Sequence, residues 1–210
     1  MAGLFNWGGR KGAAQAAPLP PAAASAPTRT TKVLPRFLST LSQVQAPTLI
    51  NLGPVVGQNI AFLGERLGCK IFVEDVTAEL LSTPAAGTQA MLEKRLRHKP
   101  ASVDGILCWD LFDWLDRRTS QVLAASLVRL LKPGGVLYAF FGATTGSMGE
   151  HTRFIIAAPD CFELRTTPAE AHARNVLVTR DINKMFEGLV VTESVLLKSN
   201  TRETLFRKPS

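Results

Sequence analysis

From residue 34 onward the apolar positions follow two alternating rhythms. In PRFLSTLSQV (35–44), Phe37, Leu38, Leu41 and Val44 fall on one helical face. TLINLG (48–53) is a continuous apolar run that predicts a buried strand. NIAFLGERLG (59–68) returns to helical spacing through Ile60, Leu63 and Leu67, with Gly68 placed to end it. KIFVEDV (70–76) predicts a second strand closing on two acids, and TAELL starts a helix with Thr77 as N-cap. TQAMLEKRLRHK continues helical, and VDGILCW (103–109) is the next strand. TSQVLAASLVRLL then predicts a helix that turns Leu123, Leu127, Leu130 and Leu131 inward; KPGG stops it before the strand VLYAFFG (136–142).

Strand and helix alternate through this region, which predicts an α/β fold with a parallel sheet covered on both faces and right-handed connections. The end of the chain breaks the alternation. RDINKMFEGL predicts a helix with Ile182, Met185, Phe186 and Leu189 inward. VVTESVLLK and ETLFRK then follow as strands joined only by SNTR, so they must be antiparallel neighbours. TRFIIAAPDCFELRTTP (152–168) reads as an inserted pair of short strands, and GATTGSMGEHTR (142–153) before it as a polar loop able to act as a lid.

The first 32 residues show neither rhythm. They are rich in Ala, Pro, Gly, Ser and Thr, cannot bury enough surface to offset their ordering entropy, and predict a disordered tail ahead of a domain over 33–210. The tail also changes the meaning of the charge. The formal net charge is +7, but Arg10, Lys11, Arg29, Lys32 and Arg36 stand in a stretch without any acid, so the rest of the chain is nearly neutral. A nucleic-acid groove is therefore not indicated. No apolar run reaches the ~18 residues of a membrane span. Cys69, Cys108 and Cys161 are odd in number and far apart, and His98, His151 and His172 share no motif, so the expectation is a reduced cytoplasmic protein without a metal.

The stretches LINLGPVVGQN, KIFVEDVTAELL, VDGILCWDLFDWL and LVRLLKPGGVLYAFFG, with the final hairpin, resemble the class I S-adenosyl-L-methionine (SAM) dependent methyltransferase family over about residues 46–208. The resemblance implies a Rossmann-like, mostly parallel seven-stranded sheet with a C-terminal antiparallel hairpin. It implies SAM as cofactor and methyl transfer to an unidentified small-molecule or protein acceptor. A dinucleotide fits the glycine loop less well, because Val55 stands where backbone would have to approach a pyrophosphate.

By the same resemblance the cofactor lies along Asn51, Gly53, Pro54, Gly57 and Asn59, with Gly53 for the tight turn and Gly57 for close packing of helix on strand. Asp75, or Glu74 beside it, accepts the ribose hydroxyls, as two carboxylate oxygens suit a vicinal diol. Trp109 faces the sulfonium or the acceptor, and Asp110 orients a nucleophile or takes its proton; each is equally readable as core aromatic and helix start. The family pattern is broken at three places. Asn51 replaces an acid that would meet the methionine ammonium, Val55 replaces a glycine, and no third strand with an adenine-binding acid is visible before VDGILCW. These departures keep open a second reading, a methyltransferase-fold module that binds a partner without catalysis.

Overall fold

Strand β4 (Val103–Trp109) is buried at all seven positions, as expected of a central strand covered on both faces. In the computed structural model, which describes residues 26–210, it sits in a six-stranded sheet with β2 (Thr48–Leu52) and β3 (Lys70–Glu74) to one side. On the other side lie β5 (Leu131–Gly142), β9 (Thr201–Arg207) and β8 (Val190–Leu196), giving the order β3-β2-β4-β5-β9-β8. All run parallel except β9, which is antiparallel to both neighbours, so the terminal hairpin stands where the sequence places it. Lys132–Gly135 form an excursion within β5: Leu131 pairs with Val103, and the ladder resumes only at Val136 opposite Gly105.

Two apolar layers flank the sheet. One is built on α6 (Arg117–Leu130), capped by Asp116, whose carboxylate accepts from the backbone N–H of Arg118 and Thr119. Leu123, Leu127 and Leu130 of α6 pack with Ile106, Leu137, Phe112 and Phe186. The helices α3 (Thr77–Ser82), α4 (Thr88–Arg95), α5 (Leu111–Trp114) and α7 (Thr179–Met185) contribute to the same layer. The other layer holds α1 (Leu34–Leu41), α2 (Gly57–Leu67) and an aromatic group of Phe37, Trp109, Tyr138, Phe140, Phe154 and Phe162.

Several expectations are corrected. Among the described residues the sheet has six strands, not seven: between β3 and β4 the chain makes two short helices, and no described residue pairs with the outer edge of β3. His98 packs its ring on Phe72 at 4.5 Å there. The presumed lid loop and short insert are one long hairpin, β6 (Ser147–Ala158) and β7 (Cys161–Ala173). It carries a third strand, β1 (Thr28–Thr30), taken from the end of the supposed tail; residues 1–25 of that tail lie outside the described residues. Val44 and Ile60 are exposed, because α1 ends at Leu41 and α2 buries mainly Leu63 and Asn59. Among the described residues no helix is long and apolar enough to cross a membrane.

Thr31 joins the two sheets. Its hydroxyl donates to the fully buried carboxylate of Glu203 on β9, which also accepts from the Tyr138 hydroxyl on β5. The same oxygen accepts from the N–H of Leu34 at 3.1 Å, capping α1. Removing the hydroxyl leaves a buried carboxylate and a helix N–H short of partners. Thr31→Val should therefore lower the unfolding free energy by about 1–3 kcal/mol in urea titrations, while Thr31→Ser, which keeps the hydroxyl, should lose much less.

Candidate functional site

A cleft of about 340 Å³ opens beyond the carboxyl ends of β2, β3 and β4, where open α/β sheets bind their ligands. Its volume falls within the usual range for small-molecule sites. Leu52, Gly53 and Pro54 line it from β2, Asp75, Thr77, Ala78 and Leu81 from the turn into α3, and Cys108 to Leu111 with Trp114 from the end of β4 and α5. His151, Thr152 and Arg153 of β6, with Thr167 of β7, close it from above.

The β2 turn is made by Gly53 at φ +134°, a conformation side chains rarely adopt. Its N–H donates to the Glu74 carbonyl at 3.1 Å. Gly57 is not needed for close packing, since a methyl group there would meet nothing within 4 Å. The Val55 side chain is 65% exposed and stands outside the cleft. Asn59 is also outside it: its amide donates to the Phe154 carbonyl at 2.8 Å and accepts from the Ile156 N–H at 2.7 Å, clamping β6 onto the first turn of α2.

Asn51 is buried, and its amide oxygen accepts from the Trp109 indole N–H at 2.8 Å. It thus holds the ring in place instead of lining the cleft as the sequence suggested. Trp109 itself has φ +51°, a strained setting for a bulky residue. Its ring stacks on Phe154 at 5.5 Å and 5°, and meets Tyr138 and Phe162 edge-on. It is therefore at once a core aromatic and a wall of the cleft.

The two acids after β3 part company. Glu74 approaches the His98 ring at 3.4 Å and does not line the cleft. Asp75 does line it, and its carboxylate has no hydrogen-bond or ion-pair partner among the described residues; only its backbone carbonyl is engaged, by Arg95 at 3.2 Å.

Asp110 is half-buried on the cleft floor. Desolvation, then the charge of Asp113, push its pKa from 3.8 to about 7, against the lowering effects of a backbone hydrogen bond, Arg29 and Arg174. Asp113 behind it is raised to about 6 by burial, offset by the Gly142 N–H at 2.8 Å and by Arg174 at 3.4 Å. A side chain at Gly142 would crowd the Arg174 side chain and the Asp113 carboxylate, which would have to shift. Burial also raises the Cys108 thiol far above its ordinary range, so it is inert at neutral pH. His151 lies against Trp114 with ring centres 4.1 Å apart. Among the described residues no group of three or more His, Cys, Asp or Glu is arranged to hold a metal ion.

Of the nine residues singled out from the sequence, Gly53, Pro54, Asp75, Trp109 and Asp110 line the cleft, whereas Asn51, Gly57, Asn59 and Glu74 do not. His151, Thr152, Arg153 and Thr167 of the hairpin also line the cleft; they fall in the segments read as lid and insert, but no residue there is singled out by the sequence. The alternation in HTRFIIAA was the available signal, but it marks a strand and not what the strand covers.

No family model matches the sequence, and no curated protein matches it. Solved structures do. The PH0226 protein from Pyrococcus horikoshii OT3 is 12% identical, over 84% of this chain and 88% of that one, with a TM-score of 0.52. The 1,6-didemethyltoxoflavin-N1-methyltransferase of Burkholderia thailandensis, with bound 1,6-didemethyltoxoflavin and S-adenosylhomocysteine, is 11% identical over 85% and 79%, at 0.49. An S-adenosylmethionine-dependent methyltransferase from Clostridium acetobutylicum ATCC 824 is 12% identical over 87% and 93%, at 0.47. The likeness is one of fold. What is shared is an α/β fold, which in this chain carries a mixed six-stranded sheet among the described residues.

The carboxyl pair also predicts a pH dependence. The folded state holds protons on Asp110 and Asp113 that the unfolded chain, near pKa 3.8, releases, so this contribution to stability falls as pH rises from about 4 to about 7. Asp110→Asn should flatten that decline in urea midpoints measured from pH 4 to 7.5; an unchanged slope would show that Asp110 titrates normally.

Proposed function

We propose that the protein is a SAM-dependent methyltransferase acting on a small-molecule or protein acceptor. The observation that carries this reading is the convergence on one cleft of the Gly53 turn, the unpartnered Asp75 carboxylate and the half-buried Asp110. The residues present suit the cofactor. Asp75 offers two free oxygens to a ribose diol. Ala78, Leu81 and Leu111 supply apolar surface for an adenine where the family's third-strand acid is missing. SAM, when bound, supplies a methyl group on a sulfonium, activated for in-line displacement.

The chain's own contribution is mainly position and desolvation. Trp109 and Trp114 give the cleft an aromatic wall, and residues of the β6–β7 hairpin line its upper side. Asp110 carries a pKa close to neutrality, so it can accept a proton from an acceptor's nucleophile at working pH and release it afterwards.

A second reading, a partner-binding module that no longer catalyses, is favoured by one observation: Asn51 serves Trp109 and leaves the cleft without the acid the family uses at that place. Calorimetric titration with SAM and S-adenosylhomocysteine separates the two. Binding at micromolar to low millimolar concentration supports the enzyme reading, and no heat and no thermal shift at millimolar ligand supports the module. Asp75→Asn should weaken either ligand at least tenfold, since a hydrogen bond to a charged group contributes about 1.5–3 kcal/mol. The melting temperature should stay unchanged, because the side chain is exposed.

A further inference from the structure

The amino-acid end of SAM is a zwitterion and needs a cation for its carboxylate as well as acceptors for its ammonium. Where strand β2 and its turn meet the cleft, the chain offers little of either. Asn51 is buried against Trp109, the Gly53 N–H is taken by the Glu74 carbonyl, and Pro54 has no N–H to give.

A cation reaches the same cleft from the opposite sheet. Asn59, in the first turn of α2, grips the backbone of β6 at Phe154 and Ile156. That grip delivers the preceding residue, Arg153, beside the loop that opens α2. Arg153 is exposed, lines the cleft with Gly53 and Pro54, and makes no ion pair among the described residues. Its cross-strand partner on β7 is Arg165, a like charge, and Glu163 neutralises Arg165 at 2.7 Å. Glu163 thus serves Arg165, and the Arg153 guanidinium keeps its charge for an anion in the cleft. A guanidinium is also the group best shaped to take a carboxylate in a bidentate manner.

We propose that Arg153 holds the carboxylate of the cofactor's methionine moiety, so that recognition of the amino-acid end has moved from strand β2 to the β6–β7 hairpin. The assignment rests on the SAM reading above. It makes the clamp at Asn59 part of the binding machinery: the clamp positions the strand, and the strand supplies the charge. It also accounts for the tolerance of an amide at Asn51, since the amino-acid end has a separate anchor.

The test compares S-adenosylhomocysteine with 5′-methylthioadenosine, which keeps the adenosine and lacks the amino-acid end, by calorimetry on the full chain. The unsubstituted protein should bind S-adenosylhomocysteine the more tightly. Arg153→Gln should weaken S-adenosylhomocysteine about ten- to a hundredfold and leave methylthioadenosine unchanged, with Arg153→Lys intermediate. Asp75→Asn, in contrast, should weaken both. Equal affinity of the two nucleosides for the unsubstituted protein overturns the assignment without recourse to any variant. So does a ratio that Arg153→Gln leaves intact. Binding of neither nucleoside removes the SAM reading and this assignment together, whereas binding of both with an unaltered ratio removes only this one.

Discussion

The arrangement of the cleft depends on how Trp109 is held. Its backbone leaves β4 in the left-handed region, and its indole N–H donates to Asn51 on the neighbouring strand. Its ring then lies flat on Phe154 of the hairpin. One side chain thereby connects β4, β2 and β6, and the strained turn at its own backbone persists because all three contacts fix it. Gly53 faces the same ring, with room for a methyl group but not for the backbone angle a side chain would prefer. The amide at position 51 is best understood in this setting. A buried carboxylate there would need a partner for its charge, whereas an amide satisfies the indole and remains neutral.

The three-stranded sheet is what distinguishes this chain from a bare doubly wound fold. It is attached at two points by polar contacts inside an otherwise aromatic layer. One is the double hydrogen bond of Asn59 to the β6 backbone, and the other is Thr31 with Tyr138 around the Glu203 carboxylate. Buried polar contacts of this kind specify register more than they add stability, since each group must find its one partner or be left unsatisfied. The stacked rings between them supply the apolar area. The result is a cleft whose lower wall is the parallel sheet and whose upper wall is a hairpin held at a defined place.

Loss of the third strand has a physical counterpart on the outer edge of β3. His98 packs there against Phe72 and approaches Glu74. Glu74 meets His98, and Asp75 is the acid of the pair that lines the cleft.

The sequence by itself determined the order and type of nearly every element of the main sheet, because hydrophobic period and punctuation are local. Leu123, Leu127 and Leu130 declare one helical face, and the short SNTR link forces an antiparallel pair. It determined also that Gly53 makes the turn and that the acids of VEDV close a strand. It favoured Asp75 over Glu74 for the cleft, and Asp75 is the one that lines it, but it did not record that Glu74 meets His98, twenty-four residues away. The fates of Asn51 and Asn59 were equally hidden, because their partners Trp109, Phe154 and Ile156 lie far along the chain. Thr28–Thr30 became a strand only because β7 offered an open edge, and a three-residue strand has no periodicity to read. Arg153 came to the cleft by the same route. Its place was decided by where a hairpin is clamped in space, a matter of tertiary contact that spacing along the chain does not record.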